Sequence, residues 1–205
     1  MTNERKGIAY GLAAYATWGL FPLFWKLLDT VPADQILAQR MVWSLLFFLL
    51  LLQFKGRLPS LLPHLRDGRT LLFSLGTASL ITVNWYTYIW GVNEGYIIET
   101  SLGYFINPLV SVFLGIFVFK EGLRNGQWAA LVLVIIGVIY LAFKVDSLWI
   151  SLVLAFSFGF YGLLKKLSPV PTLEGMSLET GMLFIPAILY LNFAPGSSEV
   201  SYLFD

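Results

Sequence analysis

The chain has no cysteine and a single histidine. Without a thiol there is no disulfide framework, no thiolate nucleophile and no cysteine metal site. The one histidine, His64, stands in a polar stretch between Pro63 and Arg66. It leaves a hydrolytic triad or a histidine-ligated metal nothing to build on. Charge is also scarce: acidic and basic side chains make up 12% of the residues, against about 25% in a soluble domain. The net charge is +1, so no electrostatic footprint exists for nucleic acid or for an acidic partner. The HExxH and GxSxG patterns and a phosphate-cradling glycine loop are missing too. An enzyme is therefore not expected, and neither is a cofactor or a metal.

What is present is apolar. Hydrophobic residues are 58% of the chain and the mean hydropathy is +0.76, too little polar surface to solvate a globular domain. A bilayer core takes about 20 apolar residues in a helix. Seven stretches fit: 7–28, 33–54, 69–92, 96–119, 127–143, 146–164 and 174–193. They predict an all-α integral membrane protein, with the lipid bilayer as its first partner.

Basic residues set the orientation, because cytoplasmic loops carry the excess of Lys and Arg. With the N-terminus inside, Arg5, Lys6, Lys55, Arg57, Arg66, Arg69, Lys120, Arg124, Lys165 and Lys166 all fall on the inner side. Only Lys144 falls outside, and Lys26 and Arg40 stay within spans. A multi-pass protein with a cytoplasmic N-terminus is expected.

The chain also resembles itself. A shift of 140 residues lays Trp18-Gly19-Leu20-Phe21 on Phe158-Gly159-Phe160-Tyr161, Lys26 on Lys166, and Asp34 on Glu174. This predicts a five-helix unit, duplicated. Five being odd, the second copy enters the membrane inverted, as in secondary transporters, which hold solute near the midplane between the halves. The expected units are 1–143 and 146–205, the second holding only two helices of its repeat. A full period predicts about 280 residues and ten spans.

Polar residues inside the spans are the candidate pathway. Thr100, Tyr104, Asn107 and Ser111 fall at i, i+4, i+7 and i+11, on one face of span four. Pro108 beside them takes the helical partner from the carbonyl of Tyr104, and broken backbone at bilayer depth belongs where it is buried or lines a watery cavity. On span three, Ser74, Thr77, Asn84, Tyr88 and Gly91 form a second stripe. An asparagine such as Asn84 either bonds across helices or faces solute. Span one adds Trp18 and Pro22; the repeat aligns Pro22 with Gly162, and paired Gly/Pro interruptions point to a transporter site. Gly7 and Gly11 make a GxxxG pattern, a signal for close helix contact.

A charge at the bilayer centre costs about 2.5–3.5 kcal/mol on insertion scales, so such residues are rarely idle. Lys26, Arg40 and Glu99 fall toward the outer ends of their spans and are expected to form an ion-paired outer gate. Inversion places Lys166 and Glu179 as the equivalent inner gate. Glu121 is expected to pair with Lys120 or Arg124. Span five is almost wholly apolar and reads as lipid-facing scaffold or a dimer surface.

Three segments carry a family resemblance: WGLFPLFWKLL (18–28), NWYTYIWGVNEGYIIETSLGYFINPLVSVFLGIFVFKE (84–121) and AFSFGFYGLLKK (155–166). They are similar to the RarD-type permeases, bacterial inner-membrane proteins in the EamA branch of the drug/metabolite transporter superfamily. The resemblance runs from about residue 7 to about 193. It implies an EamA-like inverted repeat of five-helix units, the second truncated here, and the movement of a small metabolite or drug-like solute by alternating access. Helices eight to ten of the family pattern are missing. The competing expectation is a membrane structural or interaction protein that moves no solute, or a half-transporter completed by a homodimer or by a second chain that supplies the missing C-terminal helices.

Overall fold

The computed structural model describes residues 3–28 and 30–193. They form helices α1 (Asn3–Lys26), α2 (Ala33–Phe54), α3 (Leu61–Arg66), α4 (Gly68–Asn93), α5 (Ile97–Phe119), α6 (Asn125–Ala142), α7 (Leu148–Leu167) and α8 (Thr172–Phe193), with a 3₁₀ turn at Leu58–Ser60. No strand occurs among the described residues. The sequence reading missed the turn and α3, which lie in the polar stretch around His64.

Five of these helices, α2 and α5 to α8, are long and apolar enough to cross a membrane. The other two long ones, α1 and α4, have 24 and 26 residues. They have the length, and α4 falls short in hydropathy. In α4 the reason is visible: Thr70, Ser74, Thr77, Asn84 and Thr87 are polar residues that face other helices.

Local chemistry sets several helix ends. The Asp67 carboxylate caps α4, accepting from the backbone N–H groups of Arg69 and Thr70, both at 3.2 Å, and from the Thr70 hydroxyl at 2.6 Å. These bonds favour the ionised form and hold the carboxyl below its ordinary range. The α4–α5 hairpin closes at Gly95, whose φ of +87° suits glycine. There the Tyr96 N–H reaches back to the Gly91 carbonyl at 2.7 Å. Lys120 ends α5 in the left-handed region, with φ 55°, so that the next N–H, of Glu121, bonds the Gly115 carbonyl at 3.2 Å.

Helix α7 is the hub. It packs along α5 on one side and α4 on the other, while α8 packs on α2 and α4. The contacts give directions. Ser151 meets the Glu99 carbonyl and Lys166 meets Glu121, so α5 and α7 run parallel. Gly91 lies near Ile150 and Gly76 near Leu164, so α4 and α7 run antiparallel. In the antiparallel pair α2–α8, Asp34 at the start of α2 accepts from Tyr190, and Glu174 at the start of α8 meets Arg57 just past the end of α2. These directions agree with helices that cross alternately.

Glycine makes the closest contacts. A Cβ on Gly159 would sit 2.5 Å from Val110 Cγ1, and one on Gly103 would sit 2.8 Å from Leu154 Cβ. Between helices in lipid there is no hydrophobic drive, so close backbone approach at small residues supplies the packing. Apolar side chains fill the rest: Ile36, Met41, Ile89 and Ile150 join α2, α4 and α7, and Leu102, Ile106, Val110 and Ala155 join α5 and α7. The periphery is different. Only Leu131 of α6 is buried, as expected for a lipid-facing span. Among the described residues, a Cβ on Gly7 or Gly11 would meet nothing within 4 Å, so the GxxxG pattern makes no close helix contact with them.

Candidate functional site

A cavity of about 480 Å³ lies where α1, α2, α4 and α5 meet, lined by Trp18, Phe21, Arg40, Trp85, Tyr88 and Tyr104 among others. A second, of about 470 Å³, shares Trp18, Tyr88 and Tyr104 and continues along α5 past Thr100, Asn107 and Pro108. Both volumes fall in the range of small-molecule sites, about 300–1,000 Å³.

The shared wall is an aromatic cluster. Tyr104 meets Tyr88 at 5.6 Å and Trp18 at 5.9 Å between ring centroids, both edge to face, and Trp18 meets Phe158 at 6.0 Å. Aromatic pairs at such distances favour this geometry. The Arg40 guanidinium lies over the Trp85 ring, 4.3 Å from its centroid, a cation–π contact. Among the described residues, no acidic side chain lines either cavity. Asn107 keeps its carbonyl oxygen shielded from solvent with no hydrogen bond. An unmade bond of this kind costs about 1–3 kcal/mol.

The structure divides the expected pathway residues. Trp18, Tyr88, Thr100, Tyr104, Asn107 and Pro108 come together around the two cavities. Ser111 does not; it lines a separate cavity of about 240 Å³ with Glu121 and Lys166 near the other end of α5. Asn84 is also elsewhere. Its amide donates to the Leu154 carbonyl at 2.9 Å and to Ser157 Oγ at 3.0 Å. It bonds α4 to α7, and lines neither cavity. Pro22 lies outside the residues whose side chains are described.

The expected charge pairs also change. Arg40 and Glu99 are not paired: Glu99 Oε1 accepts the Asp146 N–H at 3.3 Å, while Arg40 stacks on Trp85. Lys26 is exposed. Glu179 pairs with Lys165 at 2.8 Å and not with Lys166. Lys166 pairs with Glu121 at 3.2 Å, which corrects the expected pairing of Glu121 with Lys120 or Arg124. Glu179 is buried in a cluster: its Oε1 also accepts from the Thr77 hydroxyl at 2.9 Å, and its Oε2 from the Tyr161 hydroxyl at 3.2 Å. One carboxylate thus ties α4, α7 and α8 together.

Sequence reasoning missed Ala13, Ala14 and Thr17, which also line the first cavity. Their signal was faint: of the three, Ala14 alone stands one turn before Trp18 on the same helix face.

The EamA-like transporter family model matches residues 5–143. The chain is 47% identical over 193 residues to an uncharacterized transporter of Pseudomonas aeruginosa, covering 93% of this chain and 64% of that protein. It is 48% identical over 201 residues to the protein RarD of Streptomyces exfoliatus, covering 98% of this chain and 64% of that one. With the protein RarD of Escherichia coli it shares 40% identity over 202 residues, 98% of this chain and 68% of the other. The chain thus spans about two thirds of the length of these relatives. No solved structure matches.

Proposed function

The chain belongs to the EamA-like transporter family, and from that premise we propose that it forms the seven-helix portion of an inner-membrane permease. The permease moves a small metabolite or drug-like solute by alternating access. In this reading α1 and α4 span the bilayer with the five more apolar helices, and the N-terminus is cytoplasmic. The observation that carries it is the pair of adjoining cavities walled by Trp18, Tyr88 and Tyr104, at the junction of four helices in a chain of transporter ancestry.

The repeat reading divides the protein into 1–143 and 146–205. It is supported by the α2–α8 pair, the second helices of the two copies: each helix begins with a carboxylate, Asp34 or Glu174, held at the far end of its partner. The family match also ends at residue 143. In the cycle we assign Glu179 and Lys165 the inner gate, in place of Glu179 and Lys166. Arg40 faces solute in place of pairing with Glu99.

Solute exchange in proteoliposomes tests the proposal. Trp18→Ala and Tyr104→Ala are expected to cut protein-dependent flux at least about tenfold. Trp128→Ala, on the exposed side of α6, is expected to leave it unchanged. Flux equally affected by all three, or independent of the protein, sinks the reading. One observation favours a second reading, in which a further chain or a second copy completes the site: Ile8, Leu12, Tyr15, Leu20 and Leu23 of α1 are all more than half exposed. Flux that returns only when further helices are co-reconstituted would select it.

A further inference from the structure

The 140-residue shift lays α1 over α7, and the two helices are covered very differently. On α7, Ser151, Ala155 and Gly159 stand four residues apart on one face. Helix α5 covers that face. Ser151 donates to the Glu99 carbonyl at 2.6 Å, Ala155 packs among Leu102, Ile106 and Val110, and a Cβ on Gly159 would strike Val110. The counterparts on α1 are Gly11, Tyr15 and Gly19. Among the described residues that face is open. A Cβ on Gly11 or Gly19 would meet nothing within 4 Å, and Tyr15 is 76% exposed, its ring stacked on Trp18 of the same helix. Ile8, Leu12 and Leu23 flank it, each more than half exposed. The next side of the two helices repeats the contrast. Ser157 of α7 accepts the Asn84 amide of α4 at 3.0 Å. Its counterpart Thr17 donates to the Ala13 carbonyl of its own helix at 2.8 Å, and among the described residues it accepts nothing.

Lipid suffices to cover an apolar face. Small residues beside a hydroxyl acceptor suit a helix better, because close backbone approach and interhelical hydrogen bonds hold helices together in lipid. The relatives leave room for one: the chain spans 64% of the Streptomyces exfoliatus RarD protein. We propose that the open face of α1 seats a two-helix hairpin of the α4–α5 kind, inserted in the opposite sense. One helix lies on Gly11 and Gly19, parallel to α1, as α5 lies on Ser151 and Gly159 of α7. It presents a β-branched side chain to Gly19, as Val110 is presented to Gly159. The other brings a donor to Thr17, as Asn84 does to Ser157. Thr17 and Trp18 line the first cavity, so the hairpin gives that cavity a further wall. The assignment rests on the repeat reading above and names the partner that completes the site.

The chain has no cysteine, so a single introduced thiol reports its own neighbour. The full chain with Gly19→Cys is co-expressed with the part of the Streptomyces RarD protein that it leaves unmatched. Single cysteines are scanned along the hydrophobic spans of that part. Oxidation is expected to cross-link Gly19→Cys to one span, at positions three or four residues apart. Gly137→Cys on α6, where a Cβ also meets nothing within 4 Å, is expected to cross-link to none. Gly19→Leu should lower co-purification of the two segments about tenfold or more, the effect of overpacking a close contact. Gly137→Leu should leave it unchanged. The Gly19 side is open within the chain itself, so Gly19→Leu should keep the chain's melting temperature, and the loss then reports docking.

Cross-links of Gly19→Cys between two copies of the chain, with none to the added segment, would give the face to a second copy. Cross-links to no protein would give it to lipid. Either result overturns the assignment, as do equal cross-linking at Gly19 and Gly137 and co-purification indifferent to Gly19→Leu. Should Gly19→Leu fail to fold, the cross-linking pattern decides alone. Solute exchange in proteoliposomes separates the two proposals. Docking without flux removes transport and leaves the hairpin standing. Flux from the chain with no docked segment removes the hairpin and leaves transport.

Discussion

Replacing Glu179 should do more damage than replacing Glu179 and Lys165 together. The Glu179 side chain is 6% exposed and that of Lys165 20%. The carboxylate also accepts from Thr77 and Tyr161. Breaking a buried pair from one side costs about 3–5 kcal/mol, because the surviving charge is left uncompensated. Lys165 is one-fifth exposed and can turn its ammonium toward the headgroups, which lowers the cost. We expect Glu179→Leu to destabilise by about 2–4 kcal/mol and Lys165→Met by about 1–3 kcal/mol. The double variant buries no charge at this point and should be more stable than Glu179→Leu alone. The coupling in the cycle should reach about 1–3 kcal/mol. Unfolding in detergent, followed by steric trapping or by helical circular dichroism on heating, measures all four proteins. Costs that add to within about 0.5 kcal/mol would refute the reasoning, and Glu179 would have to be held by its hydroxyl partners alone.

The remaining predictions concern packing and capping. Gly159→Ala should destabilise by about 1–3 kcal/mol through overpacking, because its new Cβ meets Val110 Cγ1 at 2.5 Å; Val110→Ala should recover most of the loss in melting experiments, and no recovery would place the strain elsewhere. Asn84→Ala removes two bonds to α7 and should cost about 1 kcal/mol in the same assay, with solute binding unaltered; a loss of binding at unchanged stability would return Asn84 to the pathway. Asp67 has a carboxyl held below its usual value of 3.8 by its capping bonds. Its contribution is therefore complete above that pH and disappears as pH falls through the depressed folded-state value. Asp67→Asn should show a smaller acid-induced loss of amide-exchange protection in the first turn of α4, and an identical acid profile would deny the cap its role.

Much of the fold was legible because hydrophobic length is a direct readout of the bilayer. The span expected at 33–54 is α2 to the residue, and that at 96–119 differs from α5 by one. The partners were not legible. Lys165 and Lys166 are adjacent in sequence, but consecutive side chains on a helix diverge by about 100°. One therefore reaches Glu179 on α8 and the other Glu121 beyond α5. The rotation of α7 about its axis decides between them, and it is set by Gly103 and Gly159 against α5, contacts that no local pattern reveals. Asn84 illustrates the same limit. Its stripe on α4 was visible, but whether a polar stripe meets solute or a neighbouring helix depends on what stands opposite. Here that is the Leu154 carbonyl, 70 residues away. The cavity residues on α5 were readable because Pro108 marks the place where the helix cannot satisfy itself.

The central position of α7 has a consequence for how the protein is made. On the reading in which α4 spans the bilayer, the amide of Asn84 enters it before its acceptor at Leu154 exists, since 70 residues separate them. At synthesis rates of about 5–20 residues per second, α4 waits roughly 4–14 s with that amide unanswered. Thr77 waits longer, for Glu179 102 residues on. On the same reading, α4 and α5 are during that interval a hairpin whose polar face has no α7 to answer it. The same helix that organises the finished protein then sets the earliest moment at which the Asn84 amide finds its acceptors.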